Sequence, residues 1–294
     1  MFYKMLLVLA TLFWGFSFVV VKDAVDAITP AWLMFLRFGA TALVLAVAFR
    51  KTLLRNLNLS HLFAGAILGV FSFLGFWVQT VGITDTTPGK NAFLTATYCV
   101  MVPFLYWLVA RKKPTVFNLI AAVLCILGVA FVSMGNDFSL DMRWGDWLTL
   151  LSAVFFAIHM VLVPRFSARC DIMTITIVQI ATSSLLGGVI GLATSPVPSF
   201  AQLGIDFWTQ LAYLVLFASC CAMVFQNIAQ TKVPPTQASL LMSLESVFGV
   251  VFSVLLYGEQ ITTTLLLGFA LIFASIIISE VFPLPKKSGL PRKM

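Results

Sequence analysis

The run KMLLVLATLFWGFSFVVV, at residues 4 to 21, decides the class of this 294-residue chain. Its length is close to the ~20 residues that a helix needs to cross a ~30 Å hydrocarbon layer. Trp14, Phe16 and Phe18 make it bulky for a cleaved secretory signal, so we treat it as a retained helix. The chain is 61% hydrophobic and 10% charged, more apolar sequence than a soluble core of this length would hold. We therefore predict a membrane protein.

Comparable apolar runs recur along the whole chain. They are continuous, whereas the lipid-facing strands of a barrel alternate in ~10-residue segments, so helices are indicated. The fold class that we predict is an all-α integral membrane protein with ten transmembrane helices. The expected spans are residues 4–21, 30–50, 61–82, 89–110, 115–134, 145–165, 172–192, 206–231, 235–257 and 262–282.

Positive charge is concentrated in alternate breaks between these spans. The formal net charge is +7, and the even-numbered breaks carry most of the cations, among them Arg50, Arg111, Arg165 and Lys232. The positive-inside rule then places both termini in the cytoplasm, which requires an even number of spans. We interpret the basic loops as a topology signal and expect no nucleic-acid partner.

The break at residues 135 to 144 divides the spans into two sets of five. We expect one five-helix repeat at residues 1–138, a second at 139–282, and a basic cytoplasmic tail at 283–294. An odd number of helices per half makes the second half enter the membrane in the opposite sense, as in inverted-repeat transporters. Pro88 and Ala92 recur as Pro234 and Ala238 at an offset of 146 residues, which agrees weakly with this arrangement.

Charged residues within the spans are the strongest functional signal. Arg37 and Glu245 lie well inside predicted spans, where a charge costs at least ~2.5 to 3.5 kcal/mol and usually faces a cavity or another charge. We expect Glu245 to titrate or to meet a cationic group of a solute, and Arg37 to hold a carboxylate. A structural pair, or an Arg37 that caps carbonyls and snorkels outward, is the alternative. His159 is a candidate proton relay, or a packing histidine.

Polar and aromatic residues at membrane depth are candidates for solute contact. Gln79 and Gln226 lie at corresponding depths in the third and eighth spans, and aromatic rings suit amphipathic solutes. Hydroxyls often bond to their own helix, and aromatic rings also serve in packing or face lipid. The predicted substrate-binding residues are Trp14, Phe76, Gln79, Thr95, Tyr98, Gln226, Asn227 and Ser243.

Prolines mark candidate hinges. Pro103 lies inside the fourth span, where it removes a backbone hydrogen bond and should kink the helix. Pro88, Pro234 and Pro235 start the fourth and ninth spans, related helices of the two halves. They are either hinges for alternating access or ordinary helix starts.

Several short segments form a recognisable set. They are ATLFWGFSF at residues 10–18 with Lys22, Arg37 in the second span, and ASLL, LESVF and GEQIT at 238–241, 244–248 and 258–262. In combination they resemble the EamA-type members of the drug/metabolite transporter superfamily. The chain departs from the family pattern at Ser246, where proline is usual, and at Lys113, where the first half often has Glu. The resemblance implies ten helices around a central cavity, and export or exchange of small metabolites or drugs without ATP hydrolysis.

These features together predict a secondary transporter in the cytoplasmic membrane that moves amino acids, related amphipathic solutes or drugs by alternating access. A small-molecule solute and the bilayer are the expected partners. A proton or another ion, and a monomer or a homodimer, remain open. A membrane sensor, an accessory subunit and an intramembrane enzyme are the alternatives, although no catalytic motif is present. The five cysteines lack metal-ligand spacing, and we predict neither a metal nor a cofactor.

Overall fold

The computed structural model describes residues 1 to 111, 113 to 132 and 142 to 281. The boundary predicted at residue 138 and the tail predicted at 283 to 294 lie outside these residues. All regular secondary structure in the described ranges is helical. The helices are α1 (Phe2–Ala27), α2 (Pro30–Ala48), α3 (Arg50–Asn56), α4 (Leu59–Ile83), α5 (Pro88–Ala96), α6 (Tyr98–Ala110), α7 (Val116–Val132), α8 (Trp144–Ser167), α9 (Ile172–Thr194), α10 (Ile205–Tyr213), α11 (Ala222–Gln230), α12 (Pro235–Met242), α13 (Leu244–Phe252) and α14 (Thr263–Val281), with a short 3-10 turn at Phe200–Gln202 and π-helical stretches at Leu214–Cys221 and Ser253–Tyr257.

Eight helical segments of the described chain are long and apolar enough to cross a membrane. Two shorter apolar helices, Val116–Val132 and Thr263–Ser279, accompany them. The helices begin and end close to the predicted spans, as shown by α8, predicted at residues 145–165 and observed at Trp144–Ser167. This chain is therefore an all-helical, multi-pass membrane protein.

The fourth and ninth predicted spans are each interrupted. The first of these breaks at Thr97, between α5 and α6, and the second at Ser243, between α12 and α13. At both positions the hydroxyl donates to the carbonyl three residues earlier, of Leu94 and Leu240, at 2.7 Å. Each break also accepts a backbone bond from the residue three positions later, so both are single tight turns of 3-10 type.

Pro103, where the sequence predicts a kink, lies inside α6. The interruption of the same span lies earlier, at Thr97. Pro88 and Pro235 each stand at the start of a helix, and Pro234 is the cap of α12. A proline suits these positions because the first helical residues have no backbone partner for an N–H group.

Close helix contacts hold the bundle together. α1 packs against α11, α12 and α13, whereas α4 packs against α8 and α9. α7 and α14 form a pair whose contact passes over two glycines. A Cβ atom on Gly128 would lie 3.0 Å from the Gly268 carbonyl oxygen, and one on Gly268 would lie 2.8 Å from the Gly128 carbonyl oxygen. Small residues of this kind allow membrane helices to approach closely.

Candidate functional site

A cavity lies among the spans. α1, α4, α8 and α11 contribute to its wall, together with residues on both sides of the breaks at Thr97 and Ser243. The lining residues are Trp14, Ser17, Phe18, Ser72, Phe76, Gln79, Thr95, Tyr98, Phe156, His159, Met160, Met223, Gln226, Met242 and Glu245. A largely apolar wall with a few polar groups is the usual character of a small-molecule site.

Most of the residues selected from the sequence face this space. Six of the eight predicted substrate contacts line it, and so do Glu245 and His159. Asn227 and Ser243 do not. The amide nitrogen of Asn227 instead donates to Thr176 (2.9 Å) and Gln179 (3.2 Å) on α9, because it points about 100° around the helix from Gln226. The hydroxyl of Ser243 is bound to its own helix.

The π-helical stretch Leu214–Cys221 anchors two of the selected side chains. The Trp14 indole N–H donates to the Ala218 carbonyl at 2.8 Å. Arg37 donates from Nε to the Ser219 hydroxyl at 2.7 Å and from Nη2 to the same Ala218 carbonyl at 3.4 Å. A π-helical turn changes the regular backbone bonding, which makes carbonyls of this kind available to side chains. The orientation of Trp14 in the cavity wall is therefore fixed from behind.

Arg37 and Glu245 are not partners. Arg37 is 2% exposed, and its guanidinium lies over the rings of Phe38 and Phe76, at 5.2 and 5.1 Å from their centroids. It lines a second, smaller cavity. Phe76 is one of four residues that line both cavities, so the two spaces adjoin.

Glu245 is the acidic residue of the cavity. It is 5% exposed and lies beside the Tyr98 hydroxyl. Within the described part of the chain, the one ion pair closer than 4 Å is Lys90 with Asp146, so Glu245 has no cationic partner there. A carboxylate so placed needs either a proton or a cation from outside the protein, because an unpaired charge is costly in an apolar environment.

Two buried polar atoms of the cavity wall have no hydrogen-bond partner among the described groups. They are Nε2 of His159 and the Ser72 hydroxyl. The Tyr98 hydroxyl, in contrast, interacts with the Glu245 carboxylate. Buried polar atoms in folded proteins are nearly always bonded, so atoms left free in a cavity wall are typical of a ligand site. Gln79, by contrast, donates its amide to Thr95 at 2.9 Å and so joins α4 to α5.

A polar group of residues, which we call the Lys90 cluster, lies at one end of the bundle: Thr86, Lys90, Arg143 and Asp146. Lys90 Nζ lies 2.6 Å from Asp146, whose side chain is fully buried. Asp146 also accepts from the Thr86 hydroxyl at 3.0 Å and from the Arg143 backbone at 3.1 Å. The cluster thus joins the start of α5 to the start of α8.

Two further contacts strengthen the same end. Lys22, at the end of α1, donates to the carbonyls of Ile83 (2.8 Å), Thr84 (3.1 Å) and Thr86 (3.1 Å). These include the last carbonyls of α4, where a cation is favourable. Glu259 accepts from the backbone of Gly89 at 2.9 Å and from the Thr87 hydroxyl, at the start of α5.

Sequence reasoning missed most of this end of the bundle. It treated Lys90 as one of few cations in an odd-numbered break, and it assigned no role to Asp146. The separation of the two residues in sequence gives no local signal of their contact. No group of three or more His, Cys, Asp or Glu residues able to hold a metal occurs within the described ranges.

Helices long and apolar enough to cross a membrane define a multi-pass membrane protein, and a cavity with a carboxylate in its wall lies among them. The model of the EamA-like transporter family matches residues 1–134 and 143–280, and the chain belongs to this family. The names of the family and of its relatives indicate a transporter rather than an enzyme.

The relatives and one solved structure extend over nearly the whole chain. A protein of Archaeoglobus fulgidus, named an uncharacterized transporter, is 28% identical over 92% of this chain and 83% of its own length. The uncharacterized transporter YyaM of Bacillus subtilis is 23% identical over 94% of this chain and 93% of its own length. A crystal structure of 15% identity has the same fold, with a TM-score of 0.69 over 95% of this chain and 97% of the other.

Proposed function

We propose that this protein is a secondary transporter that carries small amphipathic solutes across the cytoplasmic membrane by alternating access. The observation that carries the proposal is the cavity among the spans, which is bounded by residues of two interrupted spans. Broken helices beside a binding site at mid-membrane are typical of transporters with this mechanism.

The same proposal includes ten spans in two inverted halves, with both termini in the cytoplasm. The breaks at Thr97 and Ser243 support it, because they are 146 residues apart, the offset that also relates Pro88 to Pro234. The shorter helices α7 and α14 would complete the two sets of five. With this orientation the Lys90 cluster lies at the outer face, and the cavity would exchange with the cytoplasm.

Net export or exchange would be driven by another solute or by a proton. Glu245 is the group that we assign to this coupling, because its carboxylate lies in the cavity wall without a cation. Pro88, Pro103, Pro234 and Pro235 remain candidate hinges. His159 remains a candidate relay, since its Nε2 is free in the wall.

The test is counterflow in liposomes. Purified protein is reconstituted, the vesicles are loaded with unlabelled solute, and uptake of labelled solute is measured for a panel of amino acids and organic amines, with and without a pH gradient. We expect saturable uptake that the internal solute stimulates. Unsaturable conductance, or no trans-stimulation for any solute in the panel, would contradict a carrier.

A further inference from the structure

We propose that the cavity binds a protonated primary amine on an apolar or aromatic body, with Glu245 as its counter-ion. This inference rests on the proposed function, because it names the class of solute that the same cavity would carry. It is drawn from three independent observations: the charge of the wall, its aromatic surface and its free polar atoms.

The charge of the wall is one-sided. Among the described lining residues, Glu245 carries the one carboxylate, and neither lysine nor arginine is present. An anionic solute would bring a second negative charge into an apolar space with no lysine or arginine to balance it. A cation, in contrast, gives Glu245 the partner that the protein itself does not provide.

A free amino acid fits this wall less well than an amine, because its carboxylate also needs a cation. Arg37 is unsuited to that role. Its guanidinium is already bonded to Ser219 and Ala218, and it lines the adjoining smaller cavity rather than this wall. The site therefore favours a solute with a positive group and no negative one.

The apolar part of the wall suits the body of such a solute. Trp14 and Phe156 offer aromatic surface, on which a cation is attracted to the ring face. The indole of Trp14 is held in place by Ala218, and Phe156 packs against Phe76 with ring centroids 5.0 Å apart. The remaining wall includes Met160, Met223 and Met242, whose flexible side chains adapt to apolar groups of different shape.

The acceptors of the wall match the number of donors on a primary ammonium group. That group has three N–H donors. Besides the Glu245 carboxylate, the Ser72 hydroxyl and Nε2 of His159 are buried without partners in the same wall, and each can accept a hydrogen bond. A primary amine is thus better matched than a quaternary ammonium group, which has no donor.

Four probes with one common body test the inference. They are 2-phenylethylammonium, 2-phenylethanol, 3-phenylpropionate and phenylalanine, which are a cation, a neutral alcohol, an anion and a zwitterion. Binding of radiolabelled 2-phenylethylammonium to the protein in nanodiscs is measured by equilibrium dialysis, with empty nanodiscs as blank. The other three compounds are used as competitors.

We expect the cation to bind about tenfold or more tightly than each of the other three probes. Glu245→Gln should remove this preference while leaving the weaker affinity for the alcohol unchanged. Glu245→Asp should retain it in part. Asp206→Asn is the matched control, because it removes an exposed carboxylate at the start of α10 and should leave all four affinities unchanged.

Any of three results would overturn the inference. The alcohol binds as tightly as the cation, phenylalanine or phenylpropionate binds more tightly than the cation, or the preference for the cation persists in Glu245→Gln. If Glu245→Gln does not fold, the inference is tested by the order of affinities of the four probes for the unaltered protein and for Glu245→Asp. Binding is measured without transport, so a wrong order of probes leaves the carrier proposal standing. Failure of counterflow for every solute would contradict the carrier itself.

Discussion

If the Lys90 cluster closes its end of the bundle, replacing Lys90 with methionine should open that end. The pair is close, at 2.6 Å, with Asp146 fully buried and the Lys90 side chain 15% exposed. Methionine keeps most of the apolar length of the side chain, so the change removes chiefly the charge. Asp146 would keep its bonds from Thr86 and Arg143 but lose its counter-ion.

The size of the effect follows from these contacts. Removing one partner of a buried ion pair costs about 3 to 5 kcal/mol. We expect about 2 to 3 kcal/mol here, because Asp146 keeps two hydrogen-bond donors and Lys90 is partly exposed. If the pair exists in the closed form alone, the equilibrium between closed and open forms shifts about 30- to 150-fold toward the open one.

Thiol accessibility measures this shift. Ser17 lines both cavities, so Ser17→Cys reports when the cavity becomes accessible from the Lys90 end. In right-side-out vesicles, an impermeant thiol reagent should label this cysteine faster in the Lys90→Met protein. Protein that lacks Ser17→Cys gives the background from the native cysteines. Lys113→Met, at another exposed lysine, is the control and should not change the rate.

A double-mutant cycle separates the ion pair from other effects of the substitution. Asp146→Asn and the double variant are compared with Lys90→Met under the same labelling. We expect the double variant to be labelled at a rate close to that of Lys90→Met alone. Lys90→Met already removes the ion pair, so Asp146→Asn has no pair left to remove. Two results would refute the assignment of this pair as a closure. One is an unchanged labelling rate in Lys90→Met, and the other is a double variant in which the effects of the two single changes add.

Three other predictions concern stability in detergent, measured as the thermal unfolding midpoint. Arg37→Lys should destabilise the protein by about 1.5 to 3 kcal/mol, because lysine has no counterpart of the Nε–H group that donates to the Ser219 hydroxyl. Equal unfolding midpoints of the two proteins would show that this bond does not contribute to stability. Glu259→Gln should lower the free energy of unfolding by about 1 to 2 kcal/mol, because it weakens the cap at the start of α5. Amide hydrogen exchange at the start of α5 should become faster. Faster exchange in other regions alone would contradict this role of Glu259. Gly128→Val should cost about 1 to 3 kcal/mol by forcing α7 and α14 apart, and wild-type stability would exclude the close contact.

The sequence was sufficient for the helices and for most of the cavity wall. Span length is dictated by the hydrocarbon layer, and polar groups inside a span are rare, so Gln79, Gln226 and Glu245 could be selected one by one. The contact partners of these groups could not be predicted from the sequence. The contact of Lys90 with Asp146 joins distant parts of the chain, and neither residue carries a local signal of it.

Helix geometry limits how well the direction of a side chain can be predicted. Neighbouring positions differ by about 100° around a helix, so a shift of one residue turns a side chain from the cavity to the adjacent helix. Asn227 was selected together with Gln226, although it faces α9. The break at Thr97 was not predicted, because a tight turn of this kind has no sequence signature comparable to a proline.

The π-helical stretch at Leu214–Cys221 has a consequence for how this gene can vary. A π turn accommodates one residue more than a regular turn, so a single codon deleted from this stretch could restore a regular helix without breaking the span. The following helix would then rotate by about 100°, and Gln226 would leave the cavity. Trp14 and Arg37 would lose their common acceptor at Ala218. Length should therefore be more strictly maintained here than residue type.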